Sequence, residues 1–452
     1  MCLHDARGLP VSATDPTALA LFETALASLH SAQGDSAELV EAALARDPRL
    51  VIAHCLQAAK LVLGGGAVPN AALAATLRVL DELGPAANER ERRHAAAAQA
   101  WLDGDAERAL ARYGAIVIDY PRDGLALQVA HALDFRLGHR EMLRDRIAEV
   151  LPHWDAGVPG YGYVLGMYAF GLEENGDYVR AEGTARESLR LEPDNASAIH
   201  VIAHVMEMQG RAADGIAWLE STRAIWASNA GFAVHISWHL ALFHIDLDAT
   251  STAIKLYVDT LAPCASSPTN ALVDATALLW RLELCGVDVR GRWRELAHHW
   301  SLRSLTGERA FTLAHALRAF SAAGAERLAT RVAELLRRDP ATRAANTTQD
   351  LALAIPLVEG LQAYGRGDYA AAVERMTTVR MLAYRCGGSI AQCDLIHLTL
   401  IEAALRAQKA RLAQALAAER VARKPDSPLN RWLCARAQYG AWQNRARHAA
   451  TA

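Results

Sequence analysis

Apolar residues recur at spacings of three and four along most of the chain, as at Leu19, Leu21, Ala25, Leu26 and Leu29. That spacing predicts helices with a buried face. Hardly any stretch alternates apolar and polar residues with period two, and runs of Val and Ile are scarce. The expected fold class is all-α.

The helices are expected to come in pairs. Segment 163–195 has an apolar helix reaching Leu172, a turn at Asn175-Gly176-Asp177, a second helix to Leu191, and Pro193 to end it. Turns of the same kind fall at Gly64, Gly104, Gly138, Gly176, Gly210, near Asp246–Asp248, and at Gly286, with a later copy at Gly367-Asp368. Most intervals are 34–40 residues, close to the ~34 of a tetratricopeptide-type helix–turn–helix. The predicted architecture is an α-α superhelix, a solenoid of degenerate tetratricopeptide-type helix pairs. Its expected divisions are an N-terminal arm (1–17), a first superhelical part with a His-rich concave groove (18–262), continuing repeats (263–340) and C-terminal repeats (341–452). The looser joints are expected at Cys264–Pro268 and Arg337–Thr348.

Composition narrows the function classes. The 452 residues are 52% hydrophobic and 21% charged, which suits a packed core. The 47 Lys+Arg against 50 Asp+Glu leave a net charge of −3, so there is no basic surplus for nucleic acid. No apolar run approaches the ~18–20 residues of a membrane span. The N-terminus has no apolar signal segment, and the seven Cys include no C-x-x-C. The expected setting is cytoplasmic, with reduced thiols and neither nucleic acid nor membrane as partner.

Seventeen histidines remain, and their register is informative. His54, His94 and His200 each lie ten residues before the glycine of their own turn, while His131 and His204 lie seven and six before theirs. Offsets of ten and six or seven share one helical face. His235 and His239 lie about eleven and seven before Asp246, and His315 nine before Gly324. First helices of such pairs line the concave surface, so these imidazoles are expected to face one groove. The densest stretch is His200-x-x-x-His204-x-x-Glu207, followed by His235-x-x-Trp238-His239, then Asp274 and Arg281 on one face. His200, His204 and His239 could ligate a divalent metal, with Glu207 as a third ligand or as an outer base. A metal-free acid/base site is the other reading. His30, His139, His153, His298, His299 and His448 are expected to be core or surface residues without a role. Gly64-Gly65-Gly66 lacks the Lys-Ser/Thr of a phosphate loop and reads as a turn. Gly387-Gly388-Ser389 reads as a helix-terminating glycine pair.

These residues resemble the tetratricopeptide repeat protein 38 family over nearly the whole chain. The likeness is carried by 131–154, YVLGMYAFGLEENGDYVRAE (163–182), AIHVIAHVMEMQGRAADGIAWLEST (198–222), 235–257, LVDATALLWRLELCGV (272–287) and GGSIAQCD (387–394). The resemblance implies a superhelix of degenerate tetratricopeptide repeats. It places His200, His204, Glu207, His235, Trp238, His239, Asp274 and Arg281 at recurrent family positions, with His54, His131, His315 and Asp394. The chain departs from the family at Cys393-Asp394, where Arg-Asp is usual, and at Thr312-Leu313-Ala314-His315, where Asn-Asp precedes the histidine. The family implies a fold and no reaction.

Two functions remain open. In the first, the groove around 198–209, 232–245 and 270–285 binds a small molecule and acts on it by acid/base chemistry such as hydrolysis or elimination. His200, His204, Glu207, His235, His239 and Asp274 would form the catalytic set, with His54, His94, His131, Trp238, Arg281, His315 and Asp394 contacting the ligand. In that chemistry His200 or His239 is the base, Glu207 orients an imidazole and Arg281 holds an anionic group. In the second, the chain is a scaffold holding a partner peptide. A divalent metal is the cofactor to consider, and a second copy of the chain is a partner left open. Inward His, Trp, Glu and Asp, rather than Asn, Lys and Arg, favour the first function.

Overall fold

The computed structural model describes residues 3–31, 34–65, 70–227, 230–264 and 269–450. Cys2, Gly66 and the stretch 265–268 lie outside them, as does the side chain of His448. The described residues are helical almost throughout, confirming the all-α expectation. The exception is a two-residue antiparallel ladder, Leu3–His4 with Pro10–Val11, inside the N-terminal arm. No described helix is long and apolar enough to cross a membrane. Cys55, Cys285, Cys386 and Cys434 carry free thiols.

The helix pairs end in one recurrent device. A residue in the left-handed region follows the first helix at Gly104, Gly138, Gly176, Gly210, Asp248, Gly286, Gly324, Gly367 and Gln408. The next backbone N–H then bonds the carbonyl five residues back, as in His139 to Asp134 (2.8 Å) and Ala249 to His244 (2.8 Å). This satisfies carbonyls that the helix end would leave open. At Asp248 (φ 61) and Gln408 (φ 59) a side chain occupies the place of glycine. The exposed Gln408 carries the steric penalty of that conformation, and Gln408→Gly should raise stability by about 1 kcal/mol in a urea titration.

Contacts divide the chain into two units, Met1–Ile202 and Ala203–Ala452. In each, helices buried nearly all round alternate with amphipathic ones, which is the layering of a helical-repeat stack. In the first unit Gly124–Leu137 is largely buried, whereas Tyr178–Leu191 buries only Ala181, Ala185 and Ser188. In the second, Thr269–Leu284 is buried without a break from Ala271 to Leu282. By contrast Glu326–Arg338, the amphipathic partner of Ala310–Ala322, buries only Ala329, Val332, Ala333 and Leu336. Each unit has its own core, from Val11 to Met167 in the first and from Val234 to Ala437 in the second.

The second unit closes on itself. Ile390–Arg406 packs against Thr269–Leu284, and Pro428–Ala450 packs against Ala230–Asp246. Arg281 Nη2 donates to the Ala391 carbonyl (2.6 Å), and the Ser427 hydroxyl donates to Asp246. Gly387 and Gly388 permit this return. Both are left-handed, and a Cβ on Gly388 would lie 2.5 Å from the Phe311 ring. The glycine pair ends the 3-10 helix Arg380–Cys386, as expected, and Ser389 then caps Ile390–Arg406 reciprocally with Gln392.

Candidate metal centre

Residues of the second unit on three helices supply the densest polar group. His204 and Glu207 lie one turn apart on Ala196–Met208, and His235, Trp238 and His239 share a face of Ala230–Asp246. Asp274 and Arg281 come from Thr269–Leu284. The rings of His204 and His239 are completely buried, and their centroids are 4.5 Å apart. His235 stands edge-on to His239 at 4.9 Å and keeps about a fifth of its side chain exposed. Trp238 stacks on His235 at 5.5 Å and meets His239 at 4.6 Å, forming an apolar wall.

Two carboxylates orient two of the rings. His239 Nδ1–H donates to Glu207 Oε2 (3.0 Å), and His235 Nδ1–H donates to Asp274 Oδ2 (2.9 Å). A carboxylate only accepts, so in the neutral ring each bond places the proton on Nδ1 and the lone pair on Nε2. The environments then push the two rings apart. Burial pushes His239 well below its ordinary value, and the positive charges of His204, His235 and Arg281 add to that. Burial also disfavours charge on His235, but the charge and hydrogen bond of Asp274 outweigh it and raise that ring.

Within the second unit, His204, His235 and His239 could hold a metal, since each offers a ligand nitrogen within 4.8 Å of the others. Glu207 and Asp274 sit behind the rings, the outer position of a carboxylate–histidine–metal arrangement. His200 lies one turn before His204 on the same helix, in the first unit, where its ring stacks on Phe170 at 6.4 Å.

The remaining expected residues have their own neighbours. His54 Nε2–H donates to the Pro48 carbonyl (3.0 Å). His94 Nε2–H donates to Asp123 (2.9 Å). His131 is edge-on to Phe170 at 6.0 Å, and burial pulls it down to about 4. Among the described residues these three form no convergent group. In the second unit, His315 Nδ1–H donates to the Phe311 carbonyl (2.8 Å), and burial lowers it to about 4. Asp394 pairs with Arg420. Arg281 lies over Trp238, with its guanidinium carbon 5.1 Å from the ring centroid. His30, expected to have no role, is buried and bonded to the Gly124 carbonyl.

A small, partly open pocket lies beside this group, also within the second unit. Glu207 and Arg281 line it, with Asp394, but none of the histidines does. Its other polar residues include Asp246, Arg420, Lys424 and Ser427, which sequence spacing offers no means of finding. Arg420, Lys424 and Ser427 come from the C-terminal return, and Ser427 is 181 residues from the Asp246 it bonds.

No family model matches the chain. Among solved structures it is similar to the tetratricopeptide-repeat domain of P58(IPK), at 12% identity over 87% of this chain and 98% of that one, with a TM-score of 0.21. A likeness at that level carries nothing about ligand or activity.

Proposed function

We propose that the second unit carries a divalent-metal centre built from His204, His235 and His239, which acts on a small molecule by acid/base, hydrolytic chemistry. The observation that carries this reading is the pair of Nδ1–carboxylate bonds behind two of three converging imidazoles. Such partners fix the ring and raise its basicity towards a metal. Burial supports an ion over a bulky ligand at this point, because His204 and His239 are fully enclosed. A zinc-type ion held by these rings would supply Lewis-acid chemistry and would bring the pKa of a bound water to about 7. His235, on the exposed side, is where a substrate would approach. The tetratricopeptide repeat protein 38 family is the family we propose for the chain, on the motifs at 163–182, 198–222 and 272–287.

The test is metal content and its dependence on the rings. Protein incubated with zinc or cobalt(II) and then desalted should retain about one equivalent, and the cobalt form should show tetrahedral visible bands. Zinc at a hundredfold excess over its dissociation constant should add about 2.7 kcal/mol of stability. His204→Gln and His239→Gln should lose the metal and that added stability. If the parent retains no zinc, cobalt, manganese or iron(II), the rings are packing residues and the peptide scaffold becomes the better reading.

A further inference from the structure

Charge is divided unevenly between the two units. The first, Met1–Ile202, has 18 Lys+Arg against 28 Asp+Glu, and the second, Ala203–Ala452, has 29 against 22. Nearly all of the second unit's surplus lies in its last two helices, Ala410–Arg423 and Pro428–Ala450. Residues 410–450 hold eight Lys+Arg and two Asp+Glu, and the rest of that unit is balanced at 21 against 20. Two of the eight are paired inside the fold, Arg420 with Asp394 and Arg436 with Glu402. Arg411, Arg423 and Arg431 are exposed, the last reaching Asp426 at 4.0 Å. An apolar strip lies on the same helix pair. Trp432, Ala435 and Tyr439 follow one another at spacings of three and four on Pro428–Ala450 and are exposed, Trp432 at 43% and Tyr439 at 60%. The Arg436 guanidinium lies over the Trp432 ring, 5.4 Å from its centroid. The end of a repeat stack ordinarily carries a polar outer face. An exposed Trp and Tyr among arginines have instead the make-up of an interface core.

We propose that this face docks the first unit of a second copy of the chain, and that the contact, made both ways, closes a dimer. Charge selects the occupant. Two copies joined by their terminal helices alone would set one basic surplus against another, so the contact is between unlike surfaces. The first unit offers the opposite sign at its turns. Asp103 and Glu107 flank the turn at Gly104, Glu141 follows the turn at Gly138, and all three are exposed. His139 Nε2 lies 3.4 Å from Glu107, so the two turns are neighbours and their carboxylates lie along one edge. Trp432 and Tyr439 supply the apolar centre of the contact, and the arginines around them meet that edge. Neither surface includes a ring of the proposed metal centre, so the dimer does not rest on the metal being there.

Sedimentation equilibrium of the full chain reads the proposal. The parent should show twice the mass of the chain, and raising NaCl from about 50 mM to about 500 mM should weaken the association about tenfold or more, because salt screens charges on a surface. Trp432→Ala should weaken it about tenfold or more, as truncating a central aromatic anchor does. Arg411→Glu with Arg431→Glu should give a monomer, and so should Glu107→Lys with Glu141→Lys. Mixing these two double variants should restore the dimer, since each then meets a surface of opposite sign. A second readout needs no variant. Carbodiimide coupling in a mixture of nitrogen-15-labelled and unlabelled parent should join Lys409 or Lys424 of one copy to a carboxylate within residues 1–202 of the other. The proposal is overturned if the parent is a monomer at about 0.1 mM in low salt, if its dimer ignores salt, or if the mixed variants, each folded, stay monomeric. A monomer that binds polyglutamate or single-stranded RNA through Trp432 would also overturn it, giving the face to another partner.

Discussion

Asp123→Ala is expected to destabilise the first unit by about 3–5 kcal/mol, the range for removing one partner of a buried ion pair. Asp123 is 2% exposed and caps Gly124–Leu137 by accepting from the Ala126 N–H (2.9 Å). Its other oxygen takes both Arg90 Nη1 (2.9 Å) and His94 Nε2–H (2.9 Å). Arg90 also reaches Asp5 at 3.5 Å and the Pro10 carbonyl, so the cluster ties the N-terminal arm to the repeats of that unit. Alanine would leave a guanidinium and an imidazole buried with one anion fewer. Burial alone would raise the Asp123 pKa, but the charges of His94 and Arg90 prevail and hold it far below the carboxylate range. A folded pKa below the unfolded one gives stability that is present above about pH 4 and is lost as pH falls below it. The parent's advantage over Asp123→Ala should therefore shrink on acidification. Urea unfolding at pH 7 and pH 3, with hydrogen exchange resolved to the first unit, measures both effects. The control is Asp119→Ala, whose pairing with Arg93 is on the surface, and its midpoint should not move. A loss under about 1 kcal/mol at pH 7 for Asp123→Ala would mean that water replaces the carboxylate and the cluster is not a structural tie.

Local signals explain why much of the fold is legible in the sequence. A helix end needing a left-handed residue leaves a glycine at a nearly fixed interval, so Gly104, Gly138, Gly176 and Gly210 mark the repeat by their spacing alone. Asp248 and Gln408 fill the same seat without glycine. Spacing locates the first only approximately and misses the second. The return of the C-terminal helices onto Thr269–Leu284 and Ala230–Asp246 leaves no local trace, because it rests on contacts such as Arg281 to Ala391, 110 residues apart. The candidate site divides in the same way. Spacings of three and four correctly put His204 with Glu207 and His235 with His239 on single faces. They do not tell which carboxylate meets which ring. The structure pairs Glu207 with His239 on the next inner helix and Asp274 with His235. Asp274 and Arg281 share a face at a spacing of seven, yet the guanidinium turns to Trp238 and Ala391.

Those two carboxylates give the sharpest test of the metal reading. Glu207→Gln and Asp274→Asn keep the shape of the side chain and remove its charge. An amide can still accept from Nδ1–H, but it no longer draws that proton strongly, so the imidazole becomes a poorer donor to a metal at Nε2. Its NH2 group can also turn towards the ring and reverse the tautomer. Each change should weaken zinc binding about 10–100-fold, the range for losing a partner behind a metal-bound histidine. For Glu207→Gln, metal-free stability should move much less, because a hydrogen bond is retained and Glu207 keeps 11% of its side chain exposed, whereas Asp274 is buried. The two variants act on different rings. If His235 and His239 bind one ion, each variant alone should lower affinity, and the double variant should lower it further than either. Competition against a chromophoric chelator measures all three at one pH and buffer. An effect of Glu207→Gln alone would remove His235 from the ligand set and leave His204 and His239 as the pair. If neither variant shifts the affinity of a protein that does retain zinc, the ion lies elsewhere, and the carboxylates hold the rings only to satisfy them in the interior.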